Sequence, residues 1–296
     1  MGKKTQETLT AQMLKQFAVL SGKGFRLRDV DPRDTMGLKE KDARDALARA
    51  VARLADLQER LYAQDKWGVL VIFQAMDAAG KDGAISHVMS GVNPQGCQVF
   101  SFKAPSAEEL DHDFLWRTSK CLPERGRIGI FNRSYYEETL VVRVHPPIFA
   151  AQRLPREVVS KSIWEERLED IASFERYFAR QGYLILKFFL HISRAEQKKR
   201  FLARLDEPEK NWKFALGDVR EREHLEEYMK AYEAAIRATA TPHAPWFVVP
   251  ADHKWFTRLV ISETIVAAIE GLDLAWPKSA LSPEDLAAAR KALAED

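Results

Sequence analysis

The sequence predicts a doubly wound α/β fold, in which a mainly parallel sheet lies between layers of helices. Short apolar runs that suit buried strands recur along the chain, and long amphipathic segments separate them. This alternation is typical of a parallel sheet whose strands are joined by crossover helices. A turn rich in Gly and Ala follows the first strong apolar run. Its position also favours an α/β fold, because proteins of this class bind ligands at the carboxyl ends of their parallel strands.

Composition excludes several classes of protein. The chain has 296 residues, of which 46% are hydrophobic and 30% charged, enough for one large domain or two modest ones. This composition excludes a disordered chain and a small disulfide scaffold. Lys and Arg total 45 against 43 Asp and Glu, so the formal charge is only +2. We therefore expect no nucleic-acid partner, and any polyanion must bind to a local cluster of cations.

The cysteines and the apolar segments predict a cytoplasmic protein. Cys97 and Cys121 lack metal-ligand spacing, so we expect reduced thiols, no zinc and no structural disulfide. The first residues lack the apolar stretch of a signal peptide. No window reaches the roughly 18 apolar residues that a membrane span needs, so we expect no membrane partner.

The elements follow in order along the chain. Residues 1–35 are polar, with Gly22, Gly24 and Pro32 breaking any long period, and predict an N-terminal arm. Apolar residues at threes and fours predict an amphipathic helix over about 37–65. Further helices are predicted at 107–120, capped by Ser106 with Glu109, at 157–181, at 219–239, and from Ser282 and Pro283 onward. About five strands are predicted, at 69–73, 98–102 (the weakest), 129–131, 183–190 and 246–249.

A phosphate-binding loop is predicted directly after the first buried strand. Small residues there let backbone NH groups surround phosphate oxygens, Lys81 supplies a compact cation, and the next helix points its positive end at the anion. The loop and helix start comprise Ala75, Met76, Asp77, Ala78, Ala79, Gly80, Lys81, Asp82 and Gly83. Ala75 replaces the usual first Gly, and Asp82 replaces the usual Ser or Thr. The alternative is a strand-to-helix turn with an incidental Lys.

Asp77 predicts a metal ion, because a carboxylate inside this loop repels phosphate unless a cation lies between them. Arg133 follows the strand at 129–131, where its guanidinium suits a phosphate. The alternative for Arg133 is an ion pair with Glu137, four residues on.

A third cluster after the strand at 183–190 contains cations at the place where P-loop kinases carry a mobile lid. These cations are Lys198, Lys199, Arg200, Arg204, Lys210, Lys213, Arg220 and Arg222. The alternative is a solvated helix face, because acidic residues are interleaved with them.

Together these motifs resemble the family-2 polyphosphate kinases over most of residues 36–270. The agreement includes the Asp-bearing Walker A loop at 77–81, the Walker B segment at 131–136, and a lid signature at 210–213 with Asp218. Pro105 with Glu109, the stretches 115–117, 142–144 and 251–254, and Arg258 add to it.

The resemblance implies a P-loop kinase-like, three-layer α/β/α fold with a helical lid. The phosphotransferase domain is then 36–272, with the lid at about 205–223, and 273–296 form a C-terminal helical tail. It also implies reversible, Mg²⁺-dependent transfer of a terminal phosphoryl group from inorganic polyphosphate to AMP or ADP, with Mn²⁺ as a substitute metal. The segment 132–138 is similar to the subgroup that accepts both nucleotides. Assembly as a homo-oligomer, either a dimer or a tetramer, is also implied.

The resemblance assigns roles residue by residue. Asp77, Lys81 and Arg133 are the implied catalytic residues. The phosphate-binding set is Ala78, Ala79, Gly80, Lys81, Asp82, Gly83, Arg204, Lys210 and Lys213. Arg117, Asn132, Arg133 and Glu137 are expected to contact the nucleotide, and Asp77, Asn132 and Asp82 to hold the metal. Asn132 stands where many members have Asp, and its neutral oxygen holds Mg²⁺ less firmly.

Rival functions remain at this point. An ATP-dependent nucleoside monophosphate kinase of the thymidylate kinase type shares the sheet, loop and lid, although Asp77 and the Trp212–Lys213 pair argue against it. A non-catalytic polyphosphate-binding protein is the rival from another class. A hydrolase built on Ser134 and His145 has no nucleophile-elbow glycines to support it.

Overall fold

The computed structural model describes residues 3–294, with side chains described from residue 8. Its centre is a six-stranded sheet in the order β1-β6-β5-β2-β4-β3. The strands are β1 Ala18–Val19, β2 Gly68–Ala75, β3 Cys97–Ser101, β4 Ile128–Asn132, β5 Tyr183–His191 and β6 Trp246–Pro250. All neighbours pair in parallel except β1, which runs antiparallel to β6. The five predicted strands are confirmed, including the weakest one, now β3.

The sixth strand was not predicted. Two residues leave no periodicity in a sequence, and the pairing of Ala18 with Phe247 and of Val19 with Trp246 depends on distant partners. The preceding segment, predicted as an arm, forms a helix whose Met13 and Phe17 join the hydrophobic core. Phe17 packs edge to face on Phe256 at 5.8 Å between ring centroids.

The helices alternate with the strands along the chain. They are α1 Lys3–Phe17, α2 Glu40–Gln64, α3 Lys81–Val88, α4 Ala107–Leu110, α5 Trp116–Ser119, α6 Val141–Val144, α7 Pro146–Ala150, α8 Ile163–Arg180, α9 Arg194–Asp206, α10 Leu216–Glu221, α11 Leu225–Thr239, α12 Lys254–Glu270 and α13 Pro283–Ala294. The helix predicted at 107–120 is two short helices, although its Ser106–Glu109 capping box is present. The helix predicted at 219–239 begins only at Leu225, because α10 and a 3-10 turn at Arg222–His224 precede it.

Helices cover both faces of the sheet. All eight residues of β2 are buried, and since alternate side chains point to opposite faces, neither face of this strand meets solvent. Helix α12 packs against α1, α2 and α3, whereas α11 packs against α8 and α6. The three-layer α/β/α arrangement predicted from the sequence is therefore confirmed. Among residues 3–294, no helix combines the length and apolar character needed to cross a bilayer.

A buried polar cluster lies beside the central strands. Lys187 of β5 donates to Glu175 Oε2 at 2.5 Å, to Tyr136 Oη at 3.1 Å and to the Thr239 carbonyl at 2.8 Å. Tyr135 and Tyr136 also donate to Glu175 Oε1, at 2.9 and 2.8 Å. Because Tyr135 and Tyr136 belong to the turn after β4, this cluster fixes the segment that carries Arg133 and Glu137.

Candidate active site

The loop between β2 and α3 has the curled backbone of a phosphate cradle. Ala78 and Gly80 both have positive φ, at 63° and 101°, and the Ala79 NH donates to the Met76 carbonyl at 3.2 Å. Gly80 adopts its angle without strain because it has no Cβ. Helix α3 begins directly at Lys81, so its free NH groups and positive end face the loop.

Lys81 lies inside this cradle and is only 8% exposed. Its Nζ donates to the Ala75 carbonyl at 3.2 Å. Burial lowers the pKa of Lys81, and the Arg133 charge lowers it further, whereas Asp77, Glu137 and Asp82 oppose the shift. A buried cation beside a second cation is an electrostatic environment that a phosphate group would relieve.

Arg133 joins the two carboxylates nearest to the loop. Its Nη2 donates to Asp77 Oδ1 at 3.1 Å and its Nη1 to Glu137 Oε2 at 3.4 Å. Burial by itself lowers the pKa of Arg133, but the charges of Glu137 and Asp77 outweigh it, so the pKa is raised overall. The Glu137 pair considered as an alternative is therefore present, and it coexists with the contact to the Walker A carboxylate.

Glu137 is buried behind Arg133. Burial raises the pKa of Glu137, while the charges of Arg133 and Lys81 counteract that rise. The Gln74 amide fits between Glu137 and Ser134: it donates to Glu137 Oε1 at 2.8 Å, and its oxygen accepts from Ser134 Oγ at 3.0 Å. Glu137 is thus held by a cation and an amide at the inner end of the site.

Asp82 and Asn132 meet on the other side of the loop. The Asn132 amide nitrogen donates to Asp82 Oδ1 at 2.7 Å and to Ser101 Oγ at 3.4 Å. No group of three or more His, Cys, Asp and Glu side chains suited to a metal occurs in the part of the chain that the structure describes. Mg²⁺ needs fewer protein ligands than that when phosphates and water complete its shell.

A cavity of about 800 Å³ opens over the loop. Twelve of the predicted site residues line it, namely Asp77, Ala78, Ala79, Gly80, Lys81, Asp82, Gly83, Asn132, Arg133, Arg204, Lys210 and Lys213. Residues from three distant stretches of the sequence are therefore brought together at the carboxyl edge of the sheet, where parallel α/β proteins bind ligands.

Arg117 and Glu137 are not among the residues that line this cavity. The Nη1 of Arg117 donates to the Lys103 carbonyl at 2.7 Å and its Nη2 to Glu138 at 3.3 Å. Glu138 also accepts from Gln152, and its carbonyl accepts from Arg167 at 3.1 Å. Arg117 thus belongs to a buried network behind the segment that carries Glu137.

The cations in and beside the predicted lid lie on the last turn of α9, on the 3-10 turn Pro208–Lys213, on α10 and on the 3-10 turn Arg222–His224. Arg204 donates to the Lys213 carbonyl at 3.2 Å and lies 3.6 Å from Asp218. Lys210 pairs with Glu207, and Lys213 Nζ lies 4.9 Å from the ring centroid of Trp212, a side chain that is 78% exposed. Of these cations, Arg204, Lys210 and Lys213 line the cavity. Lys210 and Lys213 are exposed to solvent, whereas the Arg204–Asp218 pair is partly buried.

Several lining residues were not predicted as site residues. Lys103 follows β3, and Lys254 and Arg258 lie on the first turns of α12. Burial lowers the pKa of Lys254, as do the nearby charges of Arg200, Lys210 and Arg258. The stretch 251–258 was noticed only as part of the family resemblance, and no local motif marks it as a binding segment.

Comparison with known proteins agrees with this geometry. The model of the family described as polyphosphate kinase 2 matches residues 37–275. The chain belongs to the polyphosphate kinase 2 family. A relative from Rhodopseudomonas palustris, named ADP-polyphosphate phosphotransferase, is 52% identical over 90% of this chain and 92% of its own length. Another from Meiothermus ruber, named AMP/ADP-polyphosphate phosphotransferase, is 44% identical over 92% of this chain and 99% of its own.

A solved polyphosphate kinase 2 has the same fold. The crystal structure from Arthrobacter aurescens TC1 superposes with a TM-score of 0.86 at 42% identity, covering 96% of this chain and 98% of the other. The family and the P-loop kinase-like fold expected from the motifs are both confirmed.

Proposed function

We propose that this protein transfers the terminal phosphoryl group of inorganic polyphosphate to AMP and ADP, forming ADP and ATP, in a reversible reaction. The observation that carries this proposal is the cavity in which Asp77, Lys81 and Arg133 meet a row of cations from the lid and α12. The name of the Meiothermus ruber relative, which includes both nucleotides, supports the same acceptors.

Three side chains would act at the reacting centre. Lys81 and Arg133 hold the phosphates on either side of the transferred group and neutralise its charge. Asp77 lies 3.1 Å from Arg133 and orients that guanidinium toward the loop. This division suits phosphoryl transfer, which depends on positioning and charge neutralisation more than on covalent catalysis.

The oxygen donors in the cavity fit Mg²⁺, with Mn²⁺ as a substitute. Asp77 and Asp82 supply hard carboxylate oxygens, and the Asn132 amide, whose nitrogen contacts Asp82, supplies a neutral one. When bound, the ion would offset the negative charge that the two carboxylates bring to a phosphate site. Asp77, Asp82 and Asn132 are the residues we propose to hold it.

The polyphosphate chain would run along the cationic side of the cavity. Arg204, Lys210 and Lys213 approach it from the lid, and Lys254 and Arg258 from the start of α12. These residues come from separate elements, so the protein needs no large net charge to bind a polyanion. Lysine and arginine side chains that contact successive phosphates in this way resemble those with which proteins hold the phosphate backbone of nucleic acids.

The nucleotide would bind on the side of the segment 132–138. Glu137 is held by Arg133 and Gln74, and we propose that it distinguishes acceptor nucleotides. For Arg117 we propose an indirect contribution, because its Nη groups are engaged with Lys103 and Glu138. It would keep the segment after β4 in place.

The test uses purified protein, Mg²⁺ and polyphosphate, with AMP in one reaction, ADP in another, and no ATP. Product in both reactions supports the proposal, whereas product from ADP alone retains the reaction and rejects the broad acceptor range. If neither reacts but ATP phosphorylates a nucleoside monophosphate, the protein is an ordinary nucleotide kinase. If polyphosphate binds and no nucleotide is converted in any reaction, the non-catalytic rival is correct.

We further propose that the protein forms a homo-oligomer and is cytoplasmic. A homo-oligomer, either a dimer or a tetramer, is supported by apolar side chains that are exposed near α7, namely Ile148, Leu154, Val158 and Val159. Light scattering of wild type and of Val158→Asp checks this, and unchanged mass in the variant counts against this surface.

A reducing, cytoplasmic setting is supported by the unpaired thiols of Cys97 and Cys121, and cell fractionation checks it.

A further inference from the structure

Arg200 of helix α9 uses every donor of its guanidinium on the protein itself. Its Nε donates to Glu196 at 2.9 Å, its Nη1 to the carbonyls of Ala78 and Ala79 at 3.1 and 2.8 Å, and its Nη2 to the carbonyls of Ala251 and Asp252 at 2.7 and 3.0 Å. A guanidinium has five NH groups, so none is left for a phosphate. Although Arg200 lines the cavity, its guanidinium forms hydrogen bonds with other residues of the protein.

Helix α9 therefore binds consecutive carbonyls of the Walker A loop. Gln197, one turn before Arg200, donates to the Asp77 carbonyl at 3.0 Å and accepts from Arg222 at 3.2 Å. Both side chains are at least nine-tenths buried. The loop carbonyls from Asp77 to Ala79 are all fixed from one helix.

Fixing a carbonyl also fixes the NH group on the same peptide unit. A trans peptide is planar, and its C=O and N–H point in opposite directions. Holding the Ala79 carbonyl against Arg200 therefore sets the direction of the Gly80 NH, which follows in the same plane. That NH lies immediately before Lys81, at the point where backbone donors of such a loop meet phosphate oxygens.

The other end of the guanidinium is anchored to a loop that is itself held in place. The Asp252 NH donates to the Pro32 carbonyl at 3.1 Å, and the Ala251 NH donates to the His191 carbonyl at 2.8 Å. The Asp252 carboxylate accepts from the Ser193 NH at 2.8 Å, just before α9 begins. Arg200 thus ties the phosphate loop to the ends of β5 and β6.

We propose that Arg200 is a positioning residue for phosphoryl transfer, which orients the peptide units of the Walker A loop by holding their carbonyls. The inference rests on the proposed function, since it assigns the loop to phosphate. A lysine could not replace it, because a single ammonium cannot span the carbonyls of two loops as the planar fork does. The guanidinium itself, and not only its charge, is therefore required.

The experiment compares wild type with Arg200→Ala, Arg200→Lys and Lys81→Ala. The control is Arg176→Ala, which removes an exposed arginine whose hydrogen bond is to Ser173 on its own helix. Two properties are measured for each: transfer from polyphosphate to ADP, and binding of tripolyphosphate by calorimetry. Each transfer reaction is repeated with added guanidinium, and thermal unfolding is recorded throughout.

We expect Arg200→Ala to lower kcat about 100-fold, as a displacement of roughly 1 Å in a reacting centre does, and to change the KM for ADP much less. Arg200→Ala should also bind tripolyphosphate more weakly, and Arg200→Lys should show a similar loss of kcat. Added guanidinium should raise the transfer rate of Arg200→Ala at least about tenfold. Guanidinium should leave Lys81→Ala and Arg176→Ala unchanged, because both variants keep Arg200 and its contacts with the loop.

Wild-type rates in both Arg200 variants, or rescue of Lys81→Ala to the same extent, would overturn the inference. If Arg200→Ala does not unfold cooperatively, Arg200→Lys decides: a large loss of kcat at unchanged melting temperature supports the inference, and wild-type kcat refutes it. A wild-type protein that binds tripolyphosphate but transfers nothing rejects the proposed function alone. In that case the comparison of tripolyphosphate affinities still judges Arg200.

Discussion

Asp77 and Arg133 lie 3.1 Å apart although 56 residues separate them in the chain. The contact follows from the sheet: β2 and β4 are parallel neighbours, with Phe73 opposite Asn132, and the Arg133 NH continues the ladder by donating to the Phe73 carbonyl at 3.0 Å. Asp77 and Arg133 are one-third and two-fifths exposed, respectively, at the cavity. Such a pair adds little to stability, and we propose that its two side chains serve the ligand instead.

The buried environment of Lys81 predicts how the reaction depends on pH. Because burial lowers its pKa, Lys81 loses its proton, and with it the charge that binds phosphate, at a lower pH than an ordinary lysine. The value of kcat/KM should therefore fall on the alkaline side before pH reaches the usual lysine range. Lys81→Arg, which stays charged, should lack this decline in whatever activity it retains, whereas the exposed Lys161→Arg should behave as wild type. A rate that is flat throughout the alkaline range contradicts this expectation.

Asn132→Asp tests the metal site by a property other than activity. Its new carboxylate would lie against Asp82, with which the Asn132 amide now makes a 2.7 Å hydrogen bond. We expect a lower melting temperature in EDTA because like charges repel, and a larger gain on adding Mg²⁺ than wild type shows. The matched control is Asn93→Asp, since Asn93 caps a short 3-10 helix through an oxygen that Asp retains. If Mg²⁺ raises the melting temperature of wild type and of Asn132→Asp by the same amount, Asn132 does not hold the metal.

Glu137→Ala should change the choice of nucleotide. Removing this carboxylate frees Arg133 and Gln74 at the inner end of the site, while the lid and α12 cations are untouched. We expect the ratio of kcat/KM for AMP to that for ADP to shift by about tenfold, the scale of one lost charged hydrogen bond. The KM for polyphosphate should move less than about threefold on the same reasoning. Equal effects on both substrates would reject the role, and Glu165→Ala, at an exposed site on α8, serves as control.

Salt should distinguish the two substrates. A chain held by several cations releases counterions on binding, so its affinity falls steeply with ionic strength, whereas a nucleotide with few charges loses less. Titrations of polyphosphate and of ADP at increasing KCl should give a much steeper logarithmic slope for polyphosphate. Similar slopes would contradict a cationic path through Lys210, Lys213, Lys254 and Arg258.

The buried pair of Lys187 and Glu175 predicts a large effect on stability. Replacing Lys187 by Met leaves the Glu175 carboxylate buried with only hydroxyl donors, which costs about 3–5 kcal/mol of unfolding free energy. Replacing Glu175 by Gln as well should recover part of that loss, because the buried charge is then removed. Denaturant unfolding of the two single variants and the double variant measures the coupling. A double variant whose loss equals the sum of the single losses would mean that the two groups do not interact.

Much of the fold could be predicted because its signals are local. The apolar run at β2 and the spacing of apolar residues in α2 need no distant partner to be recognised. Strand β1 could not be predicted in this way, since two residues become a strand only against β6. The break between α4 and α5 was also missed, because the Ser106 cap marks where a helix begins and says nothing about where it ends.

The site residues, too, could be predicted where they belong to local motifs and not where their roles depend on distant contacts. Lys81, Asp77 and Arg133 stand in motifs whose spacing indicates phosphate chemistry, so the sequence alone suggested them. Arg200 was noticed only as one cation in a cluster, because its partners are backbone carbonyls, which leave no trace in a sequence. Arg117 was expected to contact a nucleotide, and the structure places it against Glu138, a contact that no motif encodes.

The most direct test of polyphosphate as the phosphoryl donor is a phosphorus NMR time course of one sample containing the protein, Mg²⁺, polyphosphate and ADP. We expect the signal from internal polyphosphate groups to fall by the same amount as the ATP signal rises, with no release of inorganic phosphate. Inorganic phosphate without ATP would identify a hydrolase. ATP formed together with AMP, while polyphosphate stays constant, would identify an ordinary nucleotide kinase, and either result would contradict transfer from polyphosphate to ADP.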